Sequence, residues 1–312
     1  MFLGIGTGIK GVCAEMSADM ITASEDIPVQ QRTIVRPAGC SGVGVHSGKP
    51  VNLTIKPAPA NHGIKFVRTD LQDSPKVPAL FKSVVDTSLA TVIGYEGFIV
   101  STIEHLMAVL SALMIDNAVV EIDAYEMPIM DGSAAPFVEM IQSAGVQMLQ
   151  APRCYFRVKE PIELEEDEKS VGIYPCSTFK VTCTVEYPHP LIGRQTLTLE
   201  GSSGVFEQEI APARTFGFLK EVEYLKRFGL ARGGSLDNAI VVGEDGILNP
   251  GGLRYPDEFV RHKILDCIGD FALLGIPILG HIVANKSGHT FHHAFLNKFF
   301  SEKKSWETYM VS

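Results

Sequence analysis

The segment FVRHKILDCIGD, residues 259–270, carries three polar side chains at a spacing of four: His262, Asp266 and Asp270. In a helix this spacing places all three on one face. His262 and Asp266 could then bind one metal ion from successive turns, with Asp270 as an outer carboxylate. The alternative is a charged surface stripe with an exposed His–Asp pair worth ~0.3–0.5 kcal/mol. The flanking residues favour the metal site, because carboxylates beside buried surface need a partner, and these residues are Val260, Ile264, Leu265, Ile268 and Phe271.

The order of elements around this segment occurs in both halves of the chain. The second half predicts a helix over 257–274, a strand over 278–284, a loop and a helix over 290–300. In the first half a helix opens at Ser101, a strand follows over 118–122, and a second helix begins near Pro136. Strands precede each helical group, which predicts an α+β fold that uses a similar two-layer α/β sandwich domain twice.

The domain boundaries follow from this pattern. We expect a flexible N-terminal extension over residues 1–30, a first sandwich domain over 31–150, a second over 151–300, and a C-terminal tail over 301–312. The break between the domains falls near residues 150–152, where Pro152 precedes a new run of strands.

The first-half helix starts with STIEHL, residues 101–106, in which Glu104 and His105 are adjacent. One interpretation is a capping box, in which Glu104 reaches back to a backbone N–H and only completes the helix start. The other is chemical. If the two long helices pack face to face, His105 meets His262 and Asp266 and completes a set of two histidines and one carboxylate.

This set suits a catalytic zinc ion that keeps one position for water, and equally a non-haem iron. Glu104 is then the candidate general base for a metal-activated water. His289, in the segment NKSGH over 285–289, could protonate a leaving amine or stabilise an oxyanion. The alternative for His289 is an ordinary histidine of a surface loop.

Composition excludes several classes of partner. The chain has 36 acidic and 27 basic residues and a net charge of -9, the wrong sign for a nucleic-acid phosphate backbone. The six cysteines show no paired metal spacing and no dense disulfide framework, which indicates reduced thiols in the cytoplasm. The longest apolar stretch, residues 264–284, contains two aspartates, a proline and a histidine, so we expect no membrane span. We expect a monomer.

Six segments, in this order, resemble the UDP-3-O-acyl-N-acetylglucosamine deacetylase family over about residues 31–300. They are GVGVHSG (42–48), STIEHL (101–106), PIMDGSAAPF (128–137), ARTFGF (213–218), FVRHKILDCIGD (259–270) and KSGH (286–289). The resemblance implies two α+β sandwiches packed through their helices, with the metal between them.

The resemblance also implies a role for each matched residue. The zinc ligands would be His105, His262 and Asp266. Glu104 would be the general base, His289 the cationic acid with Asp270 as its partner, and Thr215 a hydroxyl on the oxyanion. The substrate contacts would be Lys263 beside the metal, Phe216 at the mouth of the acyl passage, Tyr187 near the uridine and Lys286 near a phosphate.

Residues 218–248 resemble the family's βαβ insert, which forms a hydrophobic tunnel for a fatty acyl chain. A plain core helix and strand would account equally well for its apolar residues. The run Phe291-His292-His293 departs from the family's usual amide-containing run. We expect these extra histidines, His292 and His293, to face solvent.

By this resemblance the chain is expected to hydrolyse the 2-acetamido group of UDP-3-O-(3-hydroxyacyl)-N-acetylglucosamine. Its partner is then a UDP-linked acylated amino sugar. Two alternatives stay open: a non-catalytic sensor of UDP-sugars or acyl chains, and a zinc deacetylase that acts on a different amide.

Overall fold

The computed structural model describes residues 27–200 and 203–310, so most of the predicted extension over 1–30 lies outside the described residues. Five helices of nine or more residues occur in this part of the chain: α1 Glu104–Ala112, α2 Ala135–Ala144, α3 Leu219–Arg227, α4 Glu258–Phe271 and α5 His289–Ser301. Short helical turns cover Phe81–Ser83, Ser203–Val205, Phe206–Ile210 and Ala272–Leu274.

The strands, in chain order, are β1 Gln30–Ile34, β2 Ala38–Val43, β3 Pro50–Pro57, β4 Ile64–Arg68, β5 Lys76–Pro78, β6 Val84–Asp86, β7 Val92–Tyr95, β8 Phe98–Val100, β9 Ala118–Ile122, β10 Val146–Pro152, β11 Cys154–Val158, β12 Ile162–Glu166, β13 Lys169–Tyr174, β14 Phe179–Tyr187, β15 Gly193–Glu200, β16 Phe216–Phe218, β17 Ile240–Val242, β18 Ile278–Asn285 and β19 Trp306–Met310.

Each half of the chain builds a sheet around one central strand. In the first half the order is β2-β3-β9-β4-β5, with β9 antiparallel to β3 and parallel to β4. In the second half, a seven-stranded sheet, β18 is antiparallel to β13 and parallel to β14 and β11. The predicted strand over 118–122 is thus the centre of one sheet, and the strand predicted over 278–284 is the centre of the other.

The two halves pack through helices α1 and α4. Most of their residues are buried, and the apolar side chains among them belong to one continuous core that also takes residues from both sheets. The burial of these apolar side chains stabilises the packing of the two helices. The fold is therefore α+β, with two sheet layers outside and paired helices inside, as the sequence predicts.

Helix α1 begins at Glu104, three residues after the predicted start. The capping-box interpretation is wrong, because the N-cap residue is Ile103 and no side chain caps the helix. The Glu104 carboxylate instead accepts a hydrogen bond from the backbone N–H of Thr91, at 3.1 Å. Glu104 therefore does not cap its own helix, and its carboxylate can contact groups at the interface between the helices.

The C-terminal residues differ from the expected tail over 301–312. Strand β19 pairs antiparallel with β11 along its whole length and forms an edge of the second sheet. Trp306 stacks on Phe299 at 5.2 Å between ring centroids and packs edge-on against Phe156 at 4.8 Å. These aromatic contacts, together with the strand pairing, fix β19 to the second sheet.

A small βαβ unit lies within the range expected for the insert. Strands β16 and β17 are parallel, and α3 lies between them in sequence. No residue of α3 is buried, whereas all three residues of β17 are. The two strands pack against the rest of the protein, whereas helix α3 lies on the surface. Among the described residues, no helix combines the length and the apolar character that crossing a membrane requires.

Candidate metal centre

Three side chains from two helices converge where α1 and α4 meet. His105 lies in the first turn of α1, and His262 and Asp266 lie one turn apart on α4. Their donor atoms all lie within 4.8 Å of one another, and within the described part of the chain no other group of this kind occurs. Asp266 Oδ1 is 3.8 Å from His105 Nε2 and 3.4 Å from His262 Nε2. These residues could hold one metal ion.

The two histidines are in the state that metal binding requires. Each of the three residues is at most 4% exposed. Burial, with His262 as a neighbour, lowers the pKa of His105 to about 3, and burial also lowers the pKa of His262. Both imidazoles are thus neutral at neutral pH. His262 Nδ1 donates to the carbonyl oxygen of Ala213 at 3.0 Å, which leaves the lone pair of Nε2 directed at the cluster.

Asp266 is ionised despite its burial. Burial alone would raise its pKa, but the Lys263 ammonium, 2.8 Å from Oδ2, together with the neighbouring histidines holds that pKa well below its usual range. The same pair raises the pKa of Lys263 against the opposite effect of burial. Lys263 Nζ also lies 5.5 Å from the ring centroid of Phe216. The Lys263 ammonium therefore lies beside the Asp266 carboxylate and next to the Phe216 ring.

Glu104 lies beside this cluster with its carboxylate buried. Burial raises its pKa to about 7, although the attraction of His289 acts in the opposite direction. Glu104 Oε1 is 3.9 Å from His289 Nε2. A carboxylate with a raised pKa is a stronger base than an ordinary glutamate and can accept a proton near neutral pH.

His289 begins α5 and points inward, so it is not a surface-loop histidine. Its Nδ1 donates to Asp270 Oδ2 at 2.8 Å. Burial alone would lower the pKa of His289, but the Asp270 carboxylate outweighs it and raises the pKa to about 10. Asp270 ionises readily in turn, because the same hydrogen bond and charge lower its pKa against the effect of burial. His289 is thus a cation at neutral pH, with Nε2 facing Glu104.

The expectation that His292 faces solvent is wrong. Its side chain is 2% exposed, and its Nδ1 donates to Asp270 Oδ2 at 2.7 Å. Its Nε2 lies 2.9 Å from the hydroxyl of Ser287. His293 is half-buried and donates from Nε2 to the carbonyl oxygen of Phe81 at 3.0 Å. The expectation failed because His292 lies one turn after the loop, where α5 meets the buried end of α4, and sequence spacing does not report that contact.

Two residues of this site escape sequence reasoning. Thr91 is 2% exposed and donates its hydroxyl to Asp270 Oδ1 at 2.5 Å. No local pattern marks it, since it is one threonine before a short strand. Glu258 is fully buried and accepts hydrogen bonds from the backbone N–H and guanidinium of Arg214. A glutamate one turn before His262, next to the apolar pair Phe259 and Val260, was the available signal.

The segment ARTFGF runs beside His262. The Arg214–Glu258 pair ties it to the first turn of α4, and the Thr215 N–H donates to the Gly132 carbonyl oxygen at 2.8 Å. The Phe216 ring centroid is 6.4 Å from that of His262. The ion pair and the backbone hydrogen bonds therefore hold this segment in place, with the Phe216 ring beside His262.

The remaining predicted substrate contacts lie on the second sheet. Tyr187 packs edge-on against Phe216, with ring centroids 5.7 Å apart. Lys286 Nζ pairs with Glu186 at 2.8 Å and with Glu168 at 3.0 Å. Tyr187 thus joins the aromatic group beside the metal cluster, whereas Lys286 is held by two carboxylates.

The insert presents unusual apolar surface. Ile240 and Val242 form a small core with Ile192 and Phe259. In contrast, large side chains on and after α3 are exposed, Tyr224 by 60% and Phe228 by 67%, and their rings lie 4.7 Å apart. Leu236 and Leu248 are also more than 40% exposed. This apolar surface has no covering element within the described residues.

A large cavity does not coincide with this chemistry. Its volume is about 1620 Å³, and it lies between the C-terminal ends of α1 and α4, beside Met107, Leu110 and Phe271. None of the metal-cluster residues, nor Glu104 or His289, lines it. The convergence of polar groups with shifted pKa values, rather than cavity size, identifies the candidate site.

Comparisons with known proteins agree with this arrangement. A relative from Myxococcus xanthus (strain DK1622), named UDP-3-O-acyl-N-acetylglucosamine deacetylase, is 52% identical over 89% of this chain and 88% of its own length. Relatives of the same name from Syntrophotalea carbinolica and Shewanella violacea are 49% and 46% identical, each over 89% of this chain and over 90% and 92% of their own lengths. The family model described as UDP-3-O-acyl N-acetylglycosamine deacetylase matches residues 31–301. With its α+β fold and its His–His–Asp cluster, the chain belongs to the UDP-3-O-acyl N-acetylglycosamine deacetylase family.

Proposed function

We propose that this chain hydrolyses the 2-acetamido group of UDP-3-O-(3-hydroxyacyl)-N-acetylglucosamine to acetate and the free amine, an early committed step of lipid A biosynthesis. The supporting observation is that a buried His–His–Asp cluster lies beside Glu104, whose carboxylate faces the cationic His289 across 3.9 Å. The names of the relatives support the substrate.

The donor set fits zinc. His105, His262 and Asp266 supply two neutral imidazoles and one carboxylate, which are the ligands of catalytic zinc sites that keep a position open. Iron(II) uses a similar set, so metal analysis of the purified protein decides between them. When bound, zinc would acidify a water molecule and polarise the amide carbonyl group.

The acid–base work falls to two residues of this chain. Glu104 accepts a proton from the attacking water as the bond from oxygen to the acetyl carbon forms. The C–N bond then breaks, and His289 Nε2 donates its proton to the leaving amine. The pKa shifts suit these roles, since Glu104 is a stronger base than usual and His289 keeps its proton at neutral pH.

Charge stabilisation and binding fall to other residues. The Thr215 hydroxyl and protonated His289 stabilise the oxyanion. Lys263 and Phe216 contact the substrate beside the metal, Tyr187 lies against the uridine, and Lys286 releases its carboxylate partners to bind a phosphate. The exposed apolar surface of the insert, residues 218–248, accommodates the acyl chain, because covering it with a hydrocarbon removes both from water.

The test measures acetate release from the UDP-linked substrate by the purified protein. We expect release that a chelator abolishes and added zinc restores. We expect Glu104→Gln to bind metal normally and to lower kcat by at least about 100-fold, since general-base catalysis contributes 10²–10⁴-fold. The matched control is Glu121→Gln, which removes a surface carboxylate paired with Lys56. Near-normal turnover by Glu104→Gln would remove the assigned base.

The same assay separates the alternatives. A sensor without catalysis binds the substrate but releases no acetate. A deacetylase for a different amide releases acetate equally well from an acylated sugar that lacks the UDP group. The first result contradicts the proposed reaction, and the second contradicts the proposed substrate.

A further inference from the structure

Thr91 forms hydrogen bonds with Glu104, the proposed base, and with Asp270, the partner of the proposed acid His289. Its backbone N–H donates to Glu104 Oε2 at 3.1 Å, and its hydroxyl donates to Asp270 Oδ1 at 2.5 Å. The side chain is buried and lies 3.3 Å from His289 Nδ1. One residue therefore touches the carboxylate of the proposed base and the carboxylate that orients the proposed acid.

The two oxygens of Asp270 have different partners. Oδ2 accepts from Nδ1 of both His289 and His292, at 2.8 and 2.7 Å. Oδ1 accepts from the Thr91 hydroxyl, and no other side chain of the described residues donates to it. A carboxylate held at both oxygens cannot rotate about its own axis. The hydroxyl of Thr91 thus sets the plane of Asp270 and, through it, the direction of His289.

This contact also crosses the domain interface. Thr91 and Glu104 belong to the first half of the chain, and Asp270 and His289 belong to the second. Glu104 Oε1 and His289 Nε2 face each other from opposite domains, 3.9 Å apart. Their separation depends on how the two halves of the chain pack. Thr91 forms hydrogen bonds with Glu104 of the first half and with Asp270 of the second.

We propose that Thr91 is a positioning residue that holds the proton donor His289, through Asp270, in register with the proton acceptor Glu104 across the domain interface. This inference rests on the proposed deacetylase function. Thr91 does not touch the reacting atoms. Its removal therefore affects the proton-transfer steps and leaves substrate binding nearly unchanged.

The test compares threonine with its isostere. Thr91→Val keeps the shape and the backbone N–H to Glu104 but removes the hydroxyl from Asp270. We expect kcat to fall about 10- to 100-fold, the range for a lost hydrogen bond to a charged group, with KM within about threefold. Thr91→Ser restores the hydroxyl, and we expect it to recover kcat to within about threefold of the parent.

The matched control is Thr33→Val. Thr33 is an equally buried threonine. Its hydroxyl donates to the Asn117 carbonyl oxygen and accepts from the Ala58 N–H, so it bonds to no residue of the proposed site. We expect this variant to lose stability but to keep its kcat and metal content. Thermal unfolding and metal content are measured for every variant, so that a general loss of structure is recognised.

Four results distinguish the possible failures. Thr91→Val with unchanged kcat overturns the inference, as does a Thr91→Ser variant that is no better than Thr91→Val. If Thr91→Val does not fold, Thr91→Cys replaces it, because its thiol stands where serine has its hydroxyl but donates only weakly. Equal kcat for Thr91→Cys and Thr91→Ser then overturns the inference. An inactive parent protein overturns the proposed function instead.

Discussion

Gly269 of α4 packs directly against the backbone of Glu104 in α1. A Cβ atom built on Gly269 would lie 2.1 Å from the Glu104 carbonyl oxygen and 2.8 Å from its carbonyl carbon. Both contacts are with main chain, which cannot rotate away. The absence of a side chain at this one position allows the two helices to approach closely enough for His105 to meet His262 and Asp266.

We therefore expect Gly269→Ala to disturb the metal centre without touching a ligand. The added methyl group forces α1 and α4 apart, which costs about 1–3 kcal/mol in the free energy of unfolding and separates His105 from the other ligands. Denaturant unfolding and metal analysis of the purified variant measure the two effects. Gly251→Ala is the control, because no atom lies within 4 Å of its added Cβ, and it should change neither quantity. Full metal content in Gly269→Ala would show that metal binding does not depend on the close approach of α1 and α4.

The cluster of His105, His262 and Asp266 predicts that removal of one of these side chains abolishes metal binding. We expect His262→Ala to reduce bound metal from about one ion per chain to near zero, because only two ligands then remain. His281→Ala is the control, since that histidine bonds to Thr182 on the sheet and lies outside the cluster. Metal content is measured after dialysis against a weak chelator. A His262→Ala variant that keeps its metal would contradict the assigned site.

The pKa shifts predict a bell-shaped dependence of kcat/KM on pH. Glu104 must be ionised to act as a base, and its pKa is raised to about 7, so activity rises as pH increases through that region. A bound divalent cation favours the carboxylate and moves this limb to lower pH. His289 must be protonated to act as an acid, and its pKa is raised to about 10, so activity falls as pH increases through that value.

The assignment of the descending limb is tested with His289→Gln. This variant has no imidazolium to titrate, so we expect a low rate without the alkaline fall that the parent shows. His281→Gln serves as the control and should keep both limbs. An unchanged alkaline limb in His289→Gln would assign that titration to another group.

His292 predicts a stability difference between two replacements. His292→Leu leaves Asp270 with one donor fewer in a buried site, and we expect it to lower the free energy of unfolding by about 1–3 kcal/mol. His292→Asn supplies an amide donor at this position and should lose less. Urea unfolding near pH 7 compares the two variants with the parent protein. Equal losses for Leu and Asn would mean that packing, rather than the hydrogen bond to Asp270, is what His292 contributes.

The sequence by itself determined the elements and part of the site. The period of apolar residues predicted the long helices and the central strands β9 and β18, because a buried face must recur every turn of a helix or every second residue of a strand. Spacing also placed His262, Asp266 and Asp270 on one face of α4, since residues four apart in a helix lie above one another. The six ordered segments indicated the family.

Only the tertiary structure decided which residues meet where the two halves of the chain pack together. His105 joins His262 and Asp266 because α1 and α4 approach at Gly269, and Thr91 and His292 reach Asp270 from two other elements. Sequence reasoning assigned Glu104 to a helix cap as one alternative and His292 to the surface. Both errors have the same physical cause: local pattern reports which face of an element is buried, whereas the partner of a buried polar group is set by a packing contact between elements distant in the chain.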